Sequence, residues 1–143
     1  IEGDTVSDLR VHGGPGKAVY GYPSEHYEFW RKEFPAMTMR WGMFGENITT
    51  AGLSENEVMI GSVYRIGTAL LQVTQPRMPC YKLAIKFGRT DIIRRFMKSR
   101  KSGFYFTVVQ EGTVTPGDPI QLQEAGDTGE SILDLVKSHE RTG

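Results

Sequence analysis

The order of apolar and polar positions predicts a chain made mostly of short strands. Apolar stretches are brief and glycine recurs between them, which is typical of strands joined by tight turns. The strongest signal is Phe104 to Val109, where aromatic and β-branched residues follow one another. Val63 to Val73 predicts a strand pair turning at Gly67, or one long strand with a bulge there. Ile120 to Leu122 predicts a last strand.

A first helix is predicted after Pro23. Tyr27, Trp30 and Phe34 recur at helical spacing, and Ser24 stands where an N-cap residue is expected. Pro35 is expected to end this helix, because the residue before a proline is disfavoured in the helical region.

Two further helices and one loop follow from the same pattern. Thr90 to Lys98 predicts a helix, which Asp91 and Arg95 support as an i,i+4 pair. Ser131 to Lys137 predicts a short helix after a polar linker, Glu124 to Gly129. Thr74 to Cys80 contains two prolines and predicts a loop.

Short strands with a few interposed helices indicate a mainly β fold with α additions, barrel-like in architecture. A chain of 143 residues fits one domain that buries its own core. We expect residues 1–123 to form the barrel domain. Residues 124–143 are expected to form a linker and the start of a C-terminal helical extension.

The charge balance and the cysteine content of the chain limit which kinds of partner and compartment are expected. Lys plus Arg and Asp plus Glu are both 17, so no global charge steers the chain toward nucleic acid or an anionic membrane. We therefore expect neither as a stable partner, and an anionic ligand needs a local cluster of cations. No apolar run approaches the roughly 20 residues of a membrane span. A single cysteine excludes an internal disulfide and suits a reducing compartment, which favours a cytoplasmic location.

The lone cysteine, Cys80, follows a proline-stiffened segment. Arg77, Lys82 and Lys86 bring positive charge near it in sequence, which favours the thiolate, both a nucleophile and a soft metal ligand. We therefore take Cys80 as the candidate catalytic residue and metal ligand. The alternative is a buried, inert cysteine with the basic side chains pointing away.

The segment from Arg10 to Lys17 contains adjacent glycines. Gly13 and Gly14 let backbone N–H groups approach an anion, and His12 and Lys17 add donors for a phosphate or a pterin. The alternative is a plain turn with an exposed histidine.

Another glycine-containing segment, Gly45-Glu46-Asn47, ends in polar side chains that suit a heterocycle edge, because Asn47 offers both a donor and an acceptor. The alternative is a structural turn.

A basic run, Arg94 to Lys101, is interpreted as a solvated helix face, or else as a docking patch for a polyanion or a partner protein. Several familiar constellations are missing from the sequence. The three histidines lack zinc spacing, and there is no nucleophile elbow, P-loop or dinucleotide fingerprint.

Three segments taken together resemble one family. They are Asp8 to Gly14, Gly42 to Leu53 and Gln75 to Leu83, in this order and spacing. Two more segments agree, the aromatic stretch from Tyr22 to Tyr27 and a strand at Gly103-Phe104-Tyr105 that leads to Gly117-Asp118. Together they are similar to the MOSC domain, the C-terminal domain of molybdenum cofactor sulfurases, and to its bacterial YiiM-like branch. The resemblance covers roughly residues 3 to 122.

The resemblance implies a strand-rich, barrel-like fold that binds molybdenum cofactor (molybdopterin). Cys80 matches the family cysteine and would ligate molybdenum. Members are linked to the reduction of N-hydroxylated compounds such as hydroxylaminopurine, and pyridoxal phosphate binding is also associated with the family. The cofactor-binding residues expected here are Arg10, His12, Gly13, Gly14, Lys17, Gly45, Glu46, Asn47, Arg77 and Lys82.

No flavin or iron–sulfur motif is present in the sequence, so a partner reductase carrying flavin or iron–sulfur is expected to supply electrons. The family pattern also leads us to expect a strand or two before Ile1 and more helix after Lys137.

Two other readings stay open. In one, Cys80 carries a persulfide from a pyridoxal-dependent desulfurase for sulfur transfer. In the other, the chain is a non-enzymatic binding module.

Overall fold

A computed structural model describes residues 8–14, 17–79 and 81–142. Cys80, the candidate catalytic residue, lies outside the described residues, and so do Pro15 and Gly16 of the glycine turn. The elements are β1 Leu9–Val11, β2 Ala18–Pro23, α1 Glu25–Glu33, β3 Ile48–Thr50, β4 Val63–Ile66, β5 Ala69–Pro76, α2 Tyr81–Phe87, α3 Ile92–Ser99, β6 Phe104–Gln110, β7 Gly112–Val114, β8 Ile120–Glu124 and α4 Ile132–Thr142.

The strands form a six-stranded sheet in the order β3-β2-β6-β5-β4-β8 and a two-stranded pair, β1-β7. Only β2 and β3 pair in parallel, and every other neighbour among these strands is antiparallel. The six-stranded sheet curls into a half-barrel. The prediction of a mainly β, barrel-like fold with α additions is confirmed.

The strand pair predicted from Val63 to Val73 is the β4–β5 hairpin, and Gly67 stands at its turn. Gly67 has a φ of 61°, in the left-handed region, and an added Cβ would collide with the Thr113 carbonyl. Only glycine fits here, because a side chain would meet both backbone strain and the neighbouring turn.

Two apolar clusters divide the interior. The barrel core lies between the curled sheet, β1, β7 and the start of α4 and is mostly aliphatic. The second cluster, called the aromatic layer below, packs helices α1, α2 and α3 against β2. The buried members of the aromatic layer are Tyr20, Tyr22, Tyr27, Trp30, Phe34, Met39, Phe44, Leu83, Phe87, Ile92 and Phe96.

The predicted helices are present. Ser24 is the N-cap of α1, although its side chain makes no capping hydrogen bond and its backbone N–H instead donates to the Thr50 carbonyl at 2.6 Å. The predicted pair in α3 forms, with Arg95 Nε 2.9 Å from an Asp91 carboxylate oxygen. Helix α4 runs longer than predicted, to Thr142, and its Ile132 belongs to the barrel core.

The prediction of a loop from Thr74 to Cys80 is wrong for Thr74 to Pro76, which belong to a strand. Strand β5 continues to Pro76, because register shifts between Val73 and Gln75 keep it paired with β6. Pro76 ends the strand, a position where a missing N–H is tolerated. The sequence analysis also missed helix α2, which buries Leu83 and Phe87 at i,i+4 spacing.

Candidate functional site

A cavity of about 200 Å³ opens where β1 and the start of β2 meet the loop before β3. It is called the basic cavity below. Its lining comprises Leu9, Arg10, Val11, His12, Lys17, Ala18, Val19 and Asn47. Four of the residues predicted to bind cofactor therefore line one cavity, although Asn47 is thirty positions beyond Lys17 in the chain.

The basic cavity is cationic. Arg10 and Lys17 bring fixed positive charge, His12 adds an imidazole, and all three are exposed to solvent. Arg10 is held by a hydrogen bond from its Nη1 to the Thr113 hydroxyl at 3.2 Å. No carboxylate is among the described lining residues. Such a surface attracts an anion such as a phosphate.

Asn47 is anchored by Tyr20. Its Oδ1 accepts the Tyr20 backbone N–H at 2.8 Å, and its own backbone N–H donates to the Tyr20 carbonyl at 2.9 Å. The side-chain acceptor is therefore used within the protein. The side-chain NH₂ makes no hydrogen bond within the described parts of the chain and remains as a donor at the cavity.

Some backbone groups of the Gly13-Gly14 turn already form hydrogen bonds with the protein itself. Gly14 has a φ of 117°, where a side chain is strained, and its carbonyl accepts the Lys17 N–H at 3.1 Å. The Gly13 N–H donates to a Glu111 carboxylate oxygen at 2.8 Å. The Gly13 amide, which was expected to bind the anion of a ligand, thus already donates to the Glu111 carboxylate of the β6–β7 turn.

Glu46 is buried and its two carboxylate oxygens accept three hydrogen bonds. The donors are the Tyr27 hydroxyl at 2.6 Å, the Thr49 hydroxyl at 3.0 Å and the Phe44 N–H at 3.1 Å. Burial, and then the Glu46 carboxylate, raise the pKa of Tyr27 well above its usual value of 10. This geometry ties the loop to the aromatic layer, and a contact of Glu46 with cofactor stays a prediction.

Arg77 lies on the other side of the same loop. Its guanidinium donates to the Phe44 carbonyl, and its Cζ lies 5.0 Å from the centroid of the Tyr20 ring. Gly45 borders it, since a Cβ there would lie 3.9 Å from Arg77 Nη1. Arg77 and Asn47 therefore both meet Tyr20, but Arg77 does not line the basic cavity.

Lys82, the remaining predicted residue, is exposed in the first turn of α2 and does not line the basic cavity. The segment around Cys80 shows a feature that sequence reasoning missed. Met78, Tyr81 and Ile85 are 37%, 67% and 72% exposed, which is high for large apolar side chains. The signal in the sequence is the i,i+4 spacing of Tyr81 and Ile85, which places both on one face once residues 81–87 are recognised as a helix.

Among residues 8–14, 17–79 and 81–142 no three His, Cys, Asp or Glu side chains are grouped as metal ligands. The donor set of the basic cavity fits the phosphate end of a pterin cofactor, because it pairs exposed cations with an unused amide donor. Its volume is below the roughly 300–1,000 Å³ of sites that enclose a whole drug-sized ligand, so it has room for only one end of such a molecule. None of the described helices has both the length and the apolar character to cross a membrane.

Comparison with protein families gives a match to the MOSC domain over residues 8–121, most of the chain. The chain belongs to the MOSC domain family. The predicted resemblance to MOSC proteins of the YiiM-like branch is confirmed.

Curated relatives include an uncharacterized protein, YflK, of Bacillus subtilis, 48% identical over 92% of this chain and 59% of its own length. Protein YiiM of Escherichia coli is 42% identical over 85% of this chain and 55% of its own length. A protein of Gibberella moniliformis named "Reductase" is 35% identical, over 88% of this chain and 23% of its own length. The chain thus spans between half and two thirds of the bacterial relatives and under a quarter of the fungal one.

Solved structures agree with this assignment. YiiM from Geobacillus stearothermophilus superposes with a TM-score of 0.86 at 39% identity, covering 97% of this chain and 73% of its own. YiiM from Escherichia coli superposes with a TM-score of 0.80 at 33% identity, covering 92% of this chain and 69% of its own.

Proposed function

We propose that this MOSC domain binds molybdenum cofactor with its phosphate end in the basic cavity, and that it reduces N-hydroxylated compounds with electrons from a partner reductase. The observation that carries the proposal is the meeting of Arg10, His12, Lys17 and Asn47 at one cavity. Membership of a family associated with molybdenum cofactor supports it. So does the fungal relative, which carries a similar domain inside a longer protein named "Reductase".

Three residues of the cavity hold the cofactor, and Arg77 supports them from outside the cavity. Arg10 and Lys17 neutralise phosphate charge, and charge-assisted hydrogen bonds of this kind are about twice as strong as neutral ones. Asn47 donates its side-chain NH₂ and is kept in that orientation by the Tyr20 N–H on its Oδ1. Arg77 stiffens the loop from the opposite side through the Phe44 carbonyl.

Cys80 is proposed as the thiolate that ligates molybdenum, since a soft metal centre prefers a sulfur donor. When bound, the cofactor supplies a redox centre able to accept oxygen from a substrate. Reduction of an N-hydroxylated compound breaks the N–O bond, consumes two electrons and two protons, and releases the amine and one water. A flavin or iron–sulfur protein is oxidised in turn.

The test is elemental analysis of protein expressed with molybdate, together with hydroxylaminopurine reduction driven by dithionite. We expect Cys80→Ala to lose most of its molybdenum and its activity. Arg10→Ala combined with Lys17→Ala is expected to retain on the order of tenfold less molybdenum, because two charge-assisted contacts are lost. Lys32→Ala is the matched control, since Lys32 is exposed on α1 and, within the described residues, pairs only with Glu28, at 3.6 Å.

Equal molybdenum and equal activity in wild type and Cys80→Ala would show that the site is wrongly assigned. A mass increase of roughly 32 daltons on Cys80 in protein without molybdenum would instead favour a persulfide and a sulfur-transfer role.

A further inference from the structure

Helix α3 carries a cluster of basic residues between two grooves. A groove of about 490 Å³ separates it from α1, and another of about 630 Å³ separates it from α4. Arg94, Lys98 and Ser99 line both grooves. This surface, with Lys101 at its end, is called the basic face below.

The carboxylates of the basic face are already neutralised. Arg95 pairs with Glu33 at 3.2 Å and with Asp91 at 2.9 Å, and Arg100 pairs with Glu140 at 2.8 Å.

The two cations that line both grooves have no such partner among the described residues. Neither Arg94 nor Lys98 has an ion pair within the described residues, and both are exposed. Like charges at i,i+4 spacing repel each other and destabilise an isolated helix. An external anion would therefore reduce the repulsion between these two exposed cations.

The composition of the face favours a protein over a small molecule. Pockets for small molecules are lined mainly by apolar side chains, whereas four of the six residues that line each groove here are charged. One aromatic ring is available, Phe29, which is 36% exposed and lies 4.6 Å from the Lys101 ammonium. The interspersed carboxylates Glu33 and Glu140 make the face less suited to a phosphate backbone than to a protein surface of mixed charge.

The basic face adjoins the segment that leads to Cys80. A narrow crevice is lined by Arg77 and Met78 from that segment, by Phe96 and Met97 from α3, and by Arg100, the residue that follows α3. Arg100 also lines the larger groove. A protein bound on α3 would therefore stand beside the chain that carries the proposed molybdenum ligand.

We propose that the basic face is the docking surface for an acidic electron-carrier protein that delivers the two electrons of each turnover. The inference rests on the proposed function, which requires an external donor. The carrier, a flavin or iron–sulfur protein, is oxidised as the N-hydroxylated substrate is reduced. Encounters of this class are small, transient and steered by charge, so the complex is held by opposite charges rather than by a large apolar contact.

The test compares two electron sources for the molybdenum-loaded protein. Reduced flavodoxin, an acidic carrier, requires docking, whereas dithionite is a small reductant that does not. In Arg94→Glu combined with Lys98→Glu we expect the flavodoxin-driven rate at about 20 mM salt to fall about tenfold or more, because like charges then face each other. The dithionite-driven rate should be unchanged.

The salt dependence of the rate is a second measurement. Binding affinity is a third, and it requires no cofactor. The flavodoxin-driven rate of the wild type should fall between about 20 mM and about 300 mM salt, because salt screens the attraction. The rate of the charge-reversed variant should rise over the same range, because salt then screens a repulsion. Calorimetric titration of cofactor-free protein with flavodoxin should show the same loss of affinity.

A matched control reverses two cations elsewhere. Lys32→Glu combined with Arg65→Glu makes the same change in net charge at residues outside both grooves. We expect less than about a twofold change in the flavodoxin-driven rate, since neither residue lines a groove and surface charges outside the contact are screened.

The outcomes separate the two proposals. A wild type driven by dithionite but by neither flavodoxin nor ferredoxin would overturn the docking surface, as would an Arg94→Glu/Lys98→Glu variant that keeps its flavodoxin-driven rate. Binding of an RNA oligonucleotide that exceeds flavodoxin binding and is lost in the same variant would also overturn it. Absence of dithionite-driven reduction in the wild type would reject the proposed function, while salt-sensitive flavodoxin binding would still support the surface.

Discussion

Polar groups are buried and hydrogen-bonded at the aromatic layer, but exposed to solvent at the basic cavity. At the aromatic layer, the buried Glu46 accepts hydrogen bonds from the hydroxyls of Tyr27 and Thr49, which are buried as well. At the basic cavity Lys17 is exposed, and Asn47 keeps a free side-chain donor. Neighbouring residues of one loop thus serve different ends, because a polar group satisfied inside the protein stabilises the fold, whereas an unsatisfied group at a cavity is available to a ligand.

Among the tests of this comparison, alkaline pH is expected to have the largest effect on the stability of the fold. Burial raises the pKa of Tyr20, Tyr22 and Tyr27 above the usual value of 10. The unfolded chain therefore loses these protons first, so the stability that is present below pH 10 decreases as the pH rises above it. We expect the fold to be lost cooperatively at alkaline pH.

Absorbance of tyrosinate near 295 nm against pH, with circular dichroism in parallel, provides the check. The buried phenols should ionise in the same step in which secondary structure is lost. Smooth ionisation near pH 10 of all the tyrosines in a folded chain would contradict the buried hydrogen-bonded layer.

The next largest effect is expected from Glu46→Ala. Removal of the carboxylate leaves the Tyr27 hydroxyl, the Thr49 hydroxyl and the Phe44 N–H without their acceptor. We expect the free energy of unfolding to fall by about 2–3 kcal/mol, in the range for buried donors that lose a charged partner. Urea denaturation measures it.

Glu25→Ala is the comparison for Glu46→Ala, since Glu25 also accepts a backbone N–H, from Gly52 at 2.8 Å, but on the surface. We expect a smaller loss there. Glu46→Ala with unchanged stability but reduced molybdenum would reverse our interpretation and make Glu46 a ligand-binding residue.

The smallest effect on stability is expected from Asn47→Asp. The aspartate keeps an acceptor for the Tyr20 N–H, so the free energy of unfolding should change by no more than about 0.5 kcal/mol. It loses the NH₂ donor and brings negative charge among Arg10 and Lys17. Stabilisation against heat by added pyrophosphate should therefore be lost, since a ligand stabilises only the state that binds it.

Asn56→Asp is the matched control for Asn47→Asp. Asn56 is also exposed and uses its Oδ1 as an acceptor, for the Ser54 hydroxyl at 2.6 Å, away from the cavity. Pyrophosphate should stabilise this variant as it stabilises the wild type. Equal stabilisation of Asn47→Asp would remove Asn47 from the proposed site.

Local patterns were sufficient for much of the fold. The aromatic and β-branched run from Phe104, the hairpin at Gly67 and the Asp91–Arg95 pair of α3 were all predicted and are present. Each depends on neighbours in sequence. Helix α2 was missed, because its seven residues carry no cap signal and follow a proline-rich segment that reads as loop.

The sequence by itself identified the chemical groups of the candidate site and the family to which they belong. Arg10, His12, Lys17 and Asn47 were chosen from motifs, because charge and hydrogen-bonding capacity are properties of the residue type. Tertiary structure alone decided which of these groups face a cavity. Glu46 and Asn47 adjoin in the chain, yet one is buried against Tyr27 and the other borders the cavity beside Tyr20. That division depends on contacts between strands and helices distant in sequence, which no local pattern encodes.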